Sequence, residues 1–198
     1  DINTYNLFQA NNAYKETGLY KRQYSVFNAK TSFSSNRKLS TGLGFRMEFV
    51  NYSPVISAPL ELNGNSSFPT AYAFLKYDVL DKPVFPTRGV KIDAEIGRVL
   101  KQHEHVSILK DGLPGGDDQY AVATHPYWRT SLNIASYYHI SHRTTMLASM
   151  QSGINFNYTN NVMNELSIGG MIPLYENQVT FAGLPEATTY APTVAAFM

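Results

Sequence analysis

The sequence predicts an all-β fold, an antiparallel transmembrane β-barrel of which these 198 residues form a part. Three observations carry that expectation. Apolar and polar residues alternate with period two along successive stretches, so that each strand has two faces in opposite environments. Charged residues are 16% of the chain, below the roughly 25% usual for soluble proteins, while Tyr (14) and Phe (11) are abundant, a balance that suits a β-rich surface facing lipid. The connections, finally, alternate short and long, as the tight turns and long loops of a membrane barrel do. A soluble, half-buried sheet is the other setting in which such alternation arises.

Taken in order, residues 1–19 are ambiguous. Ile2, Tyr5 and Leu7 suit the end of a strand, and Asn11 to Glu16 reads as a loop. A first clear strand covers about 20–34, with Phe27, Ala29, Thr31 and Phe33 against Asn28, Lys30 and Ser32. The second, about 40–52, sets Leu43, Phe45, Met47 and Phe49 against Gly42, Gly44, Arg46 and Glu48. The third, 70–80, alternates Ala71, Ala73, Leu75, Tyr77 and Val79 with Tyr72, Phe74, Lys76 and Asp78.

The fourth, 89–100, puts Val90, Ile92, Ala94 and Ile96 opposite Lys91, Asp93 and Glu95. The fifth, about 122–140, sets Trp128, Leu132, Ile134, Tyr138 and Ile140 against Arg129, Ser131, Asn133 and His139. The sixth, 144–157, sets Met146, Ala148, Met150, Ile154 and Phe156 against Ser149, Gln151, Asn155 and Asn157. Each is near or above the about 9–11 residues that cross a bilayer at a tilt. Short turns are expected near 35–39, 82–88 and 141–143. Long loops rich in Asn, Gly, Ser, Asp and Pro are expected near 53–69, 101–121 and 158–190. Residues 191–198 read as a strand beginning, giving about 7–8 strands in all.

Bulk properties remove several function classes. A formal net charge of +1, from 16 basic and 15 acidic residues, disfavours a nucleic-acid partner. The absence of cysteine excludes disulfides, a thiol nucleophile and cysteine-ligated metal. No apolar run is long enough for a helical membrane span. The chain opens at Asp1 without a leader pattern, so a processed or internal piece of a longer protein is expected.

Candidate chemistry is sparse. No Gly-x-Ser-x-Gly elbow is present, so no catalytic role is expected of this chain, and no cofactor is implied. His103-Glu104-His105 has imidazoles at alternate positions, and Asp111-Gly112 with Gly115-Gly116-Asp117-Asp118 has oxygen ligands. Neither has the further ligands or spacing of a metal site, and both read as solvated loop. Asn65-Ser66-Ser67 matches a glycosylation acceptor by a pattern common by chance. Arg46, Glu48, Lys91, Asp93, Glu95 and Arg129 share the polar strand faces, which predicts charges lining a lumen. Their mixed signs favour ion pairing over a selective conduit. Tyr52, Tyr77, Trp128, Tyr137, Tyr138 and Tyr158 lie toward strand ends, as an interfacial aromatic belt requires.

One turn is distinctive. Leu80-Asp81, then Phe85-Pro86-Thr87-Arg88-Gly89, resembles the Leu-Asp-x-x-x-Phe-Pro-Thr-x-Gly turn of the BamA/TamA-type bacterial surface antigen superfamily. Ile168-Gly169-Gly170, followed by Tyr175-Glu176-Asn177, resembles the entry to the long sixth extracellular loop of that family, and the likeness spans about 70–190. Members that insert or secrete proteins carry a Val-Arg-Gly-Phe/Tyr tetrad there, its arginine in the lumen. Here Val179-Thr180-Phe181-Ala182-Gly183-Leu184-Pro185-Glu186 has no arginine, and it resembles the loop of patatin-like phospholipases fused to the same barrel.

The resemblance thus implies a barrel of about sixteen strands in the bacterial outer membrane. It implies the turn Leu80, Asp81, Phe85, Pro86, Thr87 and Gly89, and the sixth-loop residues Gly169, Gly170, Phe181 and Gly183, as family sites. The implied role is to anchor or export a phospholipase domain that precedes Asp1. Implied partners are outer-membrane lipid, the rest of the parent chain, and further copies or other outer-membrane proteins. An outer-membrane protein assembly factor, a passive pore and a soluble β-sandwich binding module are the alternatives.

Overall fold

The computed structural model describes residues 2–10, 14–36, 38–56, 60–110, 113–114, 125–157, 166–171, 178–181, 183–184 and 189–198. Side chains are described over 23–36, 38–51, 53, 64–102, 125–157, 166–171, 178–181, 183–184 and 191–198. Every element among the described residues is a strand.

The chain begins as a meander of antiparallel strands, β1 (Ile2–Ala10), β2 (Tyr14–Ser35), β3 (Leu39–Ile56), β4 (Leu60–Asp78) and β5 (Gly89–Val99). Next come β6 (His103–Lys110) and β7 (Leu113–Pro114). The meander resumes in β8 (Tyr127–Ser141) and β9 (Thr144–Phe156). The last strand, β13 (Thr193–Phe197), closes the order β1-β2-β3-β4-β5-β8-β9-β13 of a 10-stranded sheet, in which β6 pairs with β4 and β7 with β6. A separate 3-stranded sheet joins β10 (Leu166–Ile168), β11 (Gln178–Val179) and β12 (Thr189–Ala191).

Register fixes the two faces, because directly opposed residues on neighbouring strands point the same way. One row reads Thr31, Leu43, Ala73, Ile96, Thr130 and Ile154 across β2, β3, β4, β5, β8 and β9. The row beside it reads Lys30, Gly44, Tyr72, Gly97, Arg129 and Asn155 and belongs to the opposite face. The period-2 pattern in sequence is therefore aligned over six strands, so each strand adds to the same apolar face and the same polar face.

The long loops expected at 53–69, 101–121 and 158–190 are corrected by the structure. β3 runs on to Ile56 and β4 starts at Leu60, so most of 53–69 is strand. Segment 101–121 contains β6, which pairs with the first half of β4 through Leu60↔Lys110 to Ser67↔His103. Segment 158–190 contains β10, β11 and the start of β12. Pro, Asn, Gly and Ser mimic turn chemistry there, yet the backbone ladder uses them. Pro54 sits at a register shift in β2–β3, where a missing N–H is tolerated. Pro69 sits where β4 changes partner from β6 to β5, and its carbonyl accepts the Leu100 amide at 2.8 Å. The ambiguous 1–19 holds all of β1 and the start of β2. Strands are also longer than expected, 22 residues in β2 against about 15 read from the alternation.

Candidate functional site

The apolar face is open. Phe27, Phe33 and Leu43 are 64%, 71% and 66% exposed, and Phe45, Phe49, Leu75, Ile96, Trp128, Tyr138, Met146, Phe156 and Phe197 are exposed as well. Burying such side chains in a soluble protein stabilises by about 1.5–3 kcal/mol each, and here exposed ones recur on one face from β2 to β13. On β3 the run from Leu39 to Phe49 has Thr41 as its polar exception. It covers roughly 34 Å along the strand and, at a tilt of about 45°, about 24 Å of height, against about 25 Å for a lipid-facing band. Beyond it Asn51 pairs with Asn65, and the face turns polar. Arg98 interrupts the apolar face near this end, its guanidinium lying 5.6 Å from the Trp128 ring centre.

The opposite face is closed and charged. Arg46 and Glu48 are buried on β3, as is Arg129 on β8. Arg46 Nη2 donates to Glu95 Oε2 at 2.8 Å, and Arg129 Nη1 donates to Glu48 Oε2 at 3.2 Å. Tyr24 Oη donates to Glu48 Oε1 at 2.7 Å, and Arg129 Nη2 donates to Tyr127 Oη at 2.9 Å. Beneath this chain lies an apolar cluster of Val50, Phe68, Val99 and Tyr127 with Tyr24 against it. Nearer the sheet's other end Lys76 and Lys91 approach Asp93 at 3.6 Å and 3.9 Å, partly exposed. All six charges read from the sequence as sharing a polar face, Arg46, Glu48, Lys91, Asp93, Glu95 and Arg129, thus lie on one face and take part in ion pairs.

Their geometry requires a curled sheet. Arg129 shares a row with Gly97, Tyr72 and Gly44, three strand spacings from β3, and Glu48 lies four residues beyond Gly44, so a flat sheet would separate the two backbones by about 20 Å, with side chains standing roughly perpendicular. The pair closes to 3.2 Å because the polar face is concave and turns the long side chains of β3 and β8 toward each other, while Gly97 on β5 leaves room for Thr70 and Tyr72 of β4. Gly42 and Gly44 act likewise under the rings of Phe74 and Tyr72, where an added Cβ would strike the ring atoms. Tyr72 thereby reaches across β3 to donate to Asn28 Oδ1 at 2.6 Å, while the Arg46 guanidinium lies 4.6 Å from its ring centre.

The β4–β5 turn is built around one carboxylate. Asp81 Oδ1 accepts the Thr87 and Arg88 amides at 2.9 Å and 3.0 Å, and Oδ2 accepts the Thr87 hydroxyl at 2.6 Å. That hydroxyl and the two amides hold the Asp81 carboxyl well below the usual carboxylate range. The Asp81 amide closes the turn on the Arg88 carbonyl at 3.0 Å. Gly89 has φ +120°, and a Cβ there would fall on the Val79 carbonyl oxygen. Phe85 holds φ +55°, costly for a bulky residue, and the bonds to Asp81 hold the turn that imposes it. Leu80 and Pro86 are half-buried beside them.

The expected sixth-loop residues also meet. Gly170 and Phe181 form a bridge, with the Phe181 amide donating to the Gly170 carbonyl at 3.0 Å and the Gly170 amide to the Leu184 carbonyl at 3.1 Å. Gly169, Gly170 and Gly183 all have positive φ. Gln178 Nε2 donates to the Gly169 carbonyl at 2.7 Å. This lobe packs on the concave face of β9 and β13. Leu166 lies against Gly153, Leu166 and Val179 join Val194 and Ala196 in one cluster, and Thr180 donates from N and Oγ1 to Gln151 Oε1 at 3.1 Å and 2.9 Å.

Sequence reasoning missed Tyr24, Tyr72, Tyr127 and the Gln151–Thr180 contact. The signal for the tyrosines was their shared parity with Glu48, Arg46 and Arg129. Tyr137, expected in an outward belt, instead lies on the polar face opposite Leu147 and Gly89, one parity step from Tyr138. Tyr158, Tyr175-Glu176-Asn177, Asp111-Gly112 and 115–118, and the side chains of Tyr52 and His103-Glu104-His105, lie outside the described residues. Among the described residues no cluster of three potential metal ligands occurs. No protein-family model, curated protein or solved structure matches this chain.

Proposed function

We propose that this chain is a curved segment of a transmembrane β-barrel in a bacterial outer membrane, its exposed apolar face in lipid and its ion-paired face toward the barrel interior. The observation that carries the reading is the pairing of a continuous exposed apolar face with a concave face that buries ionised side chains, the reverse of a soluble sheet. Lipid would solvate the first face, and the antiparallel ladder satisfies the backbone groups that hydrocarbon cannot. The mixed-sign pairs and the lobe docked on β9 and β13 support an interior filled by side chains over an open conduit.

Within that reading, the Asp81 turn and the arginine-free stretch at 179–184 support membership of the surface-antigen superfamily and an anchoring or exporting role for a patatin-like phospholipase domain. This segment would then hold the domain and perform no chemistry itself. Two measurements test the two levels. On detergent phase separation the protein is expected in the detergent-rich phase, and a monodisperse protein in plain buffer would refute the membrane role. Phospholipase activity is expected to co-fractionate with the whole protein in outer membranes, and its absence there would refute the anchoring role alone.

A further inference from the structure

The three short turns meet at one end of the sheet. The Asp78 amide donates to the Lys38 carbonyl at 2.8 Å, joining the β2–β3 turn to the end of β4, and Gly89 pairs with Tyr137, joining the β4–β5 turn to the end of β8. Lys38, Lys82, Arg88 and Arg143 are all exposed at this end. Among the described residues none of these four forms an ion pair. The carboxylates beside them are already engaged. Asp78 Oδ1 accepts the Leu80 amide at 3.1 Å, and both Asp81 oxygens serve the turn.

The apolar face runs down to the same rim, where Tyr77, Tyr138 and Ile140 are exposed. Beyond it the bonded turn holds Phe85 out at 85% exposure, between Lys82 and Arg88 in sequence. An apolar band that ends in tyrosines and a row of exposed cations is complementary to the boundary of a lipid leaflet, where acyl chains give way to phosphate.

We propose that this short-turn rim is a docking surface for anionic phospholipid headgroups, with Lys38, Lys82, Arg88 and Arg143 on the phosphates and Phe85 seated at the headgroup level. The inference rests on the membrane reading above and adds the lipid class and the end of the barrel that selects it. Each cation near a charged leaflet contributes about fivefold to association, an effect that salt screens.

The test reconstitutes the whole protein in phosphatidylcholine and reads the motionally restricted component of spin-labelled phosphatidylglycerol and of spin-labelled phosphatidylcholine. At low salt the phosphatidylglycerol probe is expected to associate several-fold more strongly. High salt is expected to remove that preference in the native protein, and so is the variant K38Q/K82Q/R88Q/R143Q, which leaves every described hydrogen bond in place. Equal association of the two probes at low salt would overturn the proposal, as would a preference that survives in the variant. No restricted component from either probe would overturn the membrane reading and this proposal with it.

Discussion

Replacing Arg129 by methionine keeps most of the apolar stem but removes the guanidinium that pairs with Glu48, which is 1% exposed. Breaking a buried pair from one side costs about 3–5 kcal/mol, whereas an exposed pair is worth about 0.2–1 kcal/mol. The burial of both partners places this pair in the first class. Glu48→Leu is expected to cost a similar amount by removing the carboxylate that balances the buried guanidinium, and the double substitution E48L/R129M far less than the sum, since it removes both charges together. The assay is denaturant unfolding of lipid-reconstituted protein followed by fluorescence of Trp128, the chain's one tryptophan, which lies on the opposite face from Arg129. With a slope of about 1–3 kcal/mol per molar urea, each single variant should lower the midpoint by roughly 1–5 M. Single losses below about 1 kcal/mol, or additive behaviour of the double variant, would refute the buried coupling and indicate a solvated interior.

Three further outcomes follow from the same geometry. Gly44→Val should push the Tyr72 ring off β3 and break its bond to Asn28, costing about 1–3 kcal/mol, while Tyr72→Phe should cost about 0.5–1.5 kcal/mol; equal effects would show that the glycine provides no space for the ring. The low pKa of Asp81 means the turn is stabilised above the ordinary carboxylate range and loses that contribution as pH falls below about 4. Protection of the Thr87 and Arg88 amides, taken relative to their intrinsic exchange rate at each pH, should therefore fall only in acid, and Asp81→Asn should abolish that acid-dependent loss of protection. Leu43→Arg, at a site 66% exposed, should be near neutral in water but cost about 2–4 kcal/mol for reconstituted protein if the side chain meets hydrocarbon.

The all-β, antiparallel character of the sheet was legible because alternation is a local property that register merely aligns. Leu43 to Phe49 and Val90 to Ile96 declared their two faces in sequence, and so did Arg46, Glu48 and Arg129. What local chemistry could not reveal was pairing at a distance. Gly64 and Asn65 are turn-forming residues, yet they are strand because β3 and β6 flank them on both sides. The ion pairs were equally hidden, since nothing near Glu48 in sequence specifies a partner on β8, |i−j| of 81 away. Their meeting depends on sheet curvature. The Asp81 turn lay between, its motif visible and its three hydrogen bonds a consequence of folding the intervening residues back on one carboxylate.

A single-cysteine scan of positions 43–48 in the otherwise cysteine-free chain tests the central claim most directly. With a fluorophore at each position of the reconstituted protein, bromine-labelled acyl chains should quench at 43, 45 and 47 and leave 44, 46 and 48 bright. Quenching that ignores this parity, or that reaches none of the six, would show that lipid does not cover the face of Leu43, Phe45 and Met47.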